Sequence, residues 1–287
     1  MQIIYKTDAI FAGFYALLIP LLALLVFFVS GQAIALFVVP PLLALYLWLA
    51  LRRPLRRRRA GRRPLPPSWH EFLLSYSAYF RGLDDAGKMK FARDIALFLS
   101  EDNVVAIHGA PLPWQTRLLV AAGVATMLHG RPEWEPPLPD GVTVYPGASF
   151  DRNYRPGTGN IAGQAPERGP LLITEEGLKQ GGADHAAGRN VLLHELAHFF
   201  DRERRKSFTG YPHAHGGSWT DFWTAQWRQH LEQGSILPAY AAVNEAEFFA
   251  VACEMFFEQP NRLYAAHPEL YGRLGEFFNQ DPRRILF

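Results

Sequence analysis

The sequence predicts an α+β protein, mainly helical, with a small sheet and two membrane-spanning helices ahead of it. Three observations carry that expectation. Apolar residues recur at helical spacing in Trp69–Tyr79, Leu83–Ser100 and Thr116–Leu128, and again in the stretches that begin at Val191 and Glu247. Two short segments, Val142–Tyr145 and Pro170–Thr174, are β-branched or aliphatic and are bounded by turn residues. Two apolar runs, Ile10–Val29 and Ala33–Leu51, fill most of the first sixty residues.

Each run holds about 20 residues, enough to cross a hydrocarbon core of roughly 30 Å as a helix. A cleaved signal peptide fits poorly, because the basic n-region is thin and a second run follows at once. Pro40 and Pro41 should kink or break the second helix. Arg52, Arg53, Arg56, Arg57, Arg58, Arg59, Arg62 and Arg63 come next. Basic residues at the end of a span stay on the cytoplasmic side, so both ends of the hairpin and the rest of the chain are expected there. Residues 1–63 thus read as an anchor, attached through 10–51, and 64–287 as a separate domain. Taking these eight charges from the chain's net +2 leaves −6 for residues 64–287. A mildly acidic domain lacks the basic face that meets phosphates, which argues against direct nucleic-acid binding. The one cysteine, Cys253, reads as a small buried helix residue and gives no sign of an oxidising compartment.

After a stiff linker at Pro64–Pro67, Ser68 is the expected N-cap of the first helix of the domain. The next helix has Asp84 or Asp85 near its start, and Met89, Phe91, Ile95, Phe98 and Leu99 on its core side. Val104–Ile107 is too short to assign between strand and helical turn. Ala148–Gly169 is a Gly- and Pro-rich loop of the kind that borders functional sites. A strand, a short helical segment and the helix from Val191 then follow in that order, a layout that can leave a free strand edge for an extended peptide.

The helix from Val191 contains His194-Glu195-x-x-His198. Residues four apart lie on one helix face, so the two imidazoles can hold one side of a metal ion. The carboxylate of Glu195 can then polarise a metal-bound water. A third ligand has five candidates: His213, His215, Glu245, Glu247 and Glu254. His213 and His215 lie in a loop-like stretch, and Glu245 reads as a helix-start acid. Glu247 opens an apolar helix, where an isolated carboxylate wants a partner. Glu254, two turns further on, reads first as a solvated or salt-bridged residue and secondly as support for a ligand.

Four blocks then resemble a known family: Gly169–Thr174, Gly181–Asp184, Asn190–Asp201 and Tyr240–Val251. The chain is similar over roughly residues 68–287 to Mlc titration factor A and its relatives, zinc-dependent metallopeptidases. The resemblance implies a zincin-like core of gluzincin type, with His194, His198 and Glu247 as ligands of one zinc ion per chain. It implies Glu195 as general base and Tyr240 near the zinc, an arrangement similar to that in anthrax lethal factor. Members often carry Pro where this chain has Glu245, which should alter the helix start rather than the chemistry. With the hairpin added, the expectation is a peptidase tethered to a bacterial inner membrane, its catalytic domain facing the cytoplasm and acting on a peptide or protein substrate. The second expectation is a binding protein that sequesters a cytoplasmic transcriptional regulator.

Overall fold

The computed structural model describes residues 1–287 apart from 5, 31–33, 151–161, 184–188, 206–216 and 287. The chain opens with a helical hairpin, α1 (Lys6–Ser30) and α2 (Ile34–Ala60). Helices α3 (Pro67–Tyr76), α4 (Ala78–Gly82) and α5 (Asp85–Leu99) lead to strand β1 (Val104–Ala106) and helix α6 (Trp114–Leu128). Strands β2 (Val142–Tyr145), β3 (Gly163–Gln164) and β4 (Leu171–Thr174) precede α7 (Glu175–Ala183) and α8 (Val191–Arg205). The last part is helical: α9 (Gly217–Gln233), α10 (Glu245–Glu258), α11 (Pro260–Ala266) and α12 (Pro268–Phe278). The mainly helical α+β expectation holds.

The two membrane spans do not. Among the described residues no helix is long and apolar enough to cross a membrane. The inner-membrane placement, and the cytoplasmic facing drawn from it, fall with the spans. The interruptions count for more than the lengths of the apolar runs suggested. Helix α1 has Lys6 and Asp8 in its first turn and Pro20 inside it, while α2 contains Pro40, Pro41, Pro54 and six arginines. Part of the arginine run is also committed elsewhere. Arg57 is buried and donates to Glu101 at 2.7 Å and to the Gln2 carbonyl at 3.0 Å. Arg53 donates to the same Glu101 carboxylate at 2.7 Å and also reaches Glu135. Glu101 lies just beyond α5, so these ion pairs fasten α2 to the helical domain. Burial raises the Glu101 pKa, but hydrogen bonds from the two arginines hold it below the usual carboxylate range. Arg57→Ala removes one partner of a buried pair, a change that typically costs 3–5 kcal/mol. We expect about 3 kcal/mol in urea unfolding, near the low end because Arg53 still reaches Glu101.

Proline and capping residues fix the helix starts. Pro67 occupies the first turn of α3 behind Pro66, with no side-chain cap, so Ser68 is not the N-cap expected. Ser77 adopts an extended conformation, and its hydroxyl accepts the Phe80 N–H at 3.1 Å. That cap splits the expected helix Trp69–Tyr79 into α3 and α4. Asp84 caps α5 by accepting the Gly87 N–H at 2.7 Å.

The sheet has the strand order β1-β2-β4-β3. The β1–β2 and β2–β4 pairs are parallel, with Val142 opposite Val104 and Leu171, whereas β3 runs antiparallel to β4. Val142, Val144, Leu171 and Ile173 point into the core. The two-residue β3 arises inside the stretch read as loop, and it, not β4, forms the sheet edge on that side. Under the sheet, α6 crosses α8 at Gly123. A Cβ there would come within 2.4 Å of Leu192 Cδ2, so any larger residue would make Leu192 move. Helix α10 is buried from Phe248 to Phe257, Cys253 included, and packs along α8.

Candidate metal centre

Two asparagine caps set the helices that carry the site. Asn190 Oδ1 accepts the Leu193 N–H at 3.2 Å at the start of α8. Asn244 Oδ1 accepts the Glu247 N–H at 2.9 Å at the start of α10. The caps put the first turn of α10 against the first two turns of α8. There His194 Nε2 lies 3.0 Å from Glu247 Oε2, and His198 Nε2 lies 3.5 Å from the same oxygen. The imidazole rings stand 5.0 Å apart and nearly perpendicular. One atom from each of the three side chains falls within 4.8 Å of the others.

Those spacings can be tested against a metal. Ligand bonds of about 2.0–2.1 Å in a tetrahedron place neighbouring donor atoms about 3.3 Å apart. The observed 3.0 and 3.5 Å bracket that value. Two imidazoles and one carboxylate are also the donor types that such sites use, and three protein ligands leave one position open. The residues present fit a divalent metal ion.

Without metal, the cluster is an ion pair. Burial lowers the His194 pKa, but hydrogen bonds to Glu247 and Glu254 outweigh it and push it up to about 9. Burial raises that of Glu247, and the two histidines bring it down to about 2. These are one interaction seen from both partners. The His194 value lies above its ordinary 6.5 and that of Glu247 below its ordinary 4.5, so the stabilisation is complete between those two ordinary values and is lost as the pH rises through about 9 or falls through about 2. Urea unfolding of chelator-treated protein should therefore weaken between pH 6.5 and 9, by at most about 3 kcal/mol. His194→Gln should flatten that slope.

Glu195, next to His194 on α8, packs against Gly163 of β3. Its carboxyl is buried, which raises its pKa, although the charges of His194 and His198 and the Ala165 N–H pull it back. Ala165 is gripped twice by α8, since its carbonyl accepts from Arg202 Nη1 at 3.0 Å. Gly163 passes so close that a Cβ would lie 2.6 Å from Glu195 Cγ and from Val191 Cγ1. Gly163→Ala must therefore displace the carboxylate or the strand. We expect a stability loss of about 1–3 kcal/mol in thermal unfolding. Any catalysis that depends on Glu195 should fall about a hundredfold, the usual cost of a misplaced reacting group.

Tyr240 stands on a 3₁₀ turn, Ala239–Ala242, that abuts α10. Its ring centroid lies 5.9 Å from that of His194, and it is 55% exposed, so it faces the open side of the cluster. Burial, the negative charges of Glu247 and Glu195, and a hydrogen bond to Glu247 raise its pKa.

The structure thus brings together all five residues that the motif and the resemblance singled out: His194, Glu195, His198, Tyr240 and Glu247. Glu245 begins α10 and accepts the Thr224 hydroxyl at 2.9 Å, away from the cluster. Glu254 is not solvated but lies 3.5 Å behind His194 Nδ1. His213 and His215 lie outside the described residues. The close passes of Gly163 and Ala165 had no sequence signal beyond a Gly- and Pro-rich loop. Asn190 did have one: a capping residue type directly before an apolar helix.

The family model described as "Glucose-regulated metallo-peptidase M90" matches residues 52–279. An uncharacterised Synechocystis protein, slr2042, is 27% identical over 248 residues, covering 79% of this chain and 89% of that protein. A protein of Salmonella arizonae named Mlc titration factor A is 27% identical over 223 residues, 68% of this chain and 85% of that one. Its namesake in Edwardsiella ictaluri is 28% identical over 141 residues, 44% of this chain and 51% of that one.

Proposed function

This chain belongs to the glucose-regulated metallo-peptidase M90 family, and on that premise we propose that it hydrolyses peptide bonds with a zinc ion held by His194, His198 and Glu247. The observation that carries the reading is the convergence of these three donor atoms beside the buried carboxylate of Glu195. When bound, the metal supplies Lewis acidity, which lowers the pKa of a water and polarises a carbonyl. The protein residues do the rest. Glu195, its pKa raised by burial toward the working range of a general base, takes the proton of the attacking water and returns it to the leaving amine. Tyr240, on the open side, donates a hydrogen bond to the oxyanion, a contribution typically worth about 3–4 kcal/mol. Strand β3 is the sheet edge nearest Glu195, and an extended substrate pairing with it would bring a carbonyl past the cluster. We place the catalytic unit in residues 64–287.

Zinc suits the donor set, although imidazole and carboxylate also accept other divalent ions. The test is metal replacement in the full-length protein. Chelation should abolish peptide hydrolysis, and one equivalent of zinc should restore it. Hydrolysis that survives complete chelation contradicts the reading.

A second reading is favoured by the names of the curated relatives, which describe titration of Mlc. On that reading the chain binds a transcriptional regulator, and hydrolysis is secondary. A Glu195→Gln protein that loses hydrolysis but keeps its cellular output would favour binding.

A further inference from the structure

The ring of His194 is held at both edges. Nε2 faces Glu247 at 3.0 Å, and Nδ1 faces Glu254 Oε2 at 3.5 Å, the long limit of a hydrogen bond. Glu254 is 8% exposed, and its second oxygen accepts the backbone N–H of Asn190. Asn190 is the cap of α8, and its side-chain Nδ2 donates to Glu258 at 2.7 Å. Glu247, Glu254 and Glu258 sit at i, i+7 and i+11, one stripe along α10. Each takes a different part of α8: the ligand nitrogens, the back edge of His194 with the first free N–H, and the capping amide.

We propose that Glu254 is a positioning residue that fixes His194 with its proton on Nδ1 and so leaves Nε2 to the metal. A neutral imidazole carries one N–H, and the partner of one nitrogen decides what the other can do. A carboxylate can only accept, so its place behind Nδ1 selects that tautomer. Its charge also makes Nε2 a stronger donor to a metal. The Asn190 contact explains why the carboxylate stays there: the other oxygen is tied to the start of the same helix that carries His194. Glu254 thus braces the ring against the start of its own helix.

The inference rests on the metal-peptidase reading and is tested so that the two fail separately. Zinc affinity is measured by competition with a chromogenic chelator on full-length wild type, Glu254→Ala, Glu254→Gln and Glu258→Ala. Glu254→Ala should bind zinc about 10–100-fold more weakly, the usual effect of losing such a carboxylate. Glu254→Gln, which keeps one acceptor oxygen but no charge, should fall between it and wild type. Glu258→Ala disturbs the cap but not the ring, so it should lower stability and leave zinc affinity within about threefold, showing that a weakened helix start alone does not weaken the site. Long-range proton–nitrogen spectra of the zinc-loaded wild type, labelled at histidine nitrogens, should show His194 protonated at Nδ1. A wild type that takes up no stoichiometric zinc overturns the metal reading and this proposal with it. If the wild type binds zinc, equal affinity in Glu254→Ala or a His194 protonated at Nε2 overturns this proposal alone. The spectrum needs no variant, so a misfolded Glu254 protein does not rescue it.

Discussion

Glu195→Gln should abolish peptide hydrolysis while leaving zinc uptake and the fold in place. Gln matches the shape of Glu but cannot take a proton. General-base catalysis typically contributes 10²–10⁴-fold, and kcat should fall by about that much, with KM little changed because Glu195 is not placed to bind the substrate. Thermal stability should hold or rise slightly. The native carboxylate is buried and opposed by its surroundings, as its raised pKa indicates, and a neutral amide carries no charge to bury. Stopped initial rates on a peptide that the wild type cleaves, with metal content measured on the same samples, separate loss of the base from loss of the metal.

Glu247→Ala should act at the earlier step and remove the metal itself. Glu247 Oε2 is the atom that both imidazoles face, at 3.0 and 3.5 Å. Without it, two neutral nitrogens remain, which is fewer than the three protein ligands a catalytic zinc site takes. Zinc uptake should drop from one equivalent to background, and hydrolysis with it. The thermal shift on adding metal gives an independent measure. At a free metal concentration of a hundred times Kd, binding stabilises the native state by about 2.7 kcal/mol. The wild type should show that shift and Glu247→Ala should show none.

How much of this was legible in the sequence depended on distance along the chain. His194 and His198 are four residues apart, so helix geometry alone puts them on one face. Glu247 was suspected because a carboxylate opening so apolar a helix needs a partner, although nothing in the sequence measured the approach of α10 to α8. Glu254 was read first as solvated or salt-bridged; its partners, His194 and Asn190, lie 60 and 64 residues away. Gly163 is informative only through its missing Cβ, which matters once Glu195 is seen beside it. The N-terminal hairpin shows the opposite failure. Local runs of apolar residues suggested spans, but no described helix is long and apolar enough to cross a membrane, and part of the arginine run beyond them is paired inside the fold, Arg57 with Glu101 44 residues away. Local pattern cannot reveal a charge that folding neutralises.

The central claim is that three side chains hold a metal and a fourth uses it on peptide bonds. The most direct measurement is mass-spectrometric analysis of a peptide library incubated with zinc-loaded full-length protein, beside Glu195→Gln carrying the same metal. Cleavage products that accumulate with the wild type and not with Glu195→Gln are the predicted result. Equal cleavage by both proteins, or no cleavage by a wild type that holds one zinc, would contradict it.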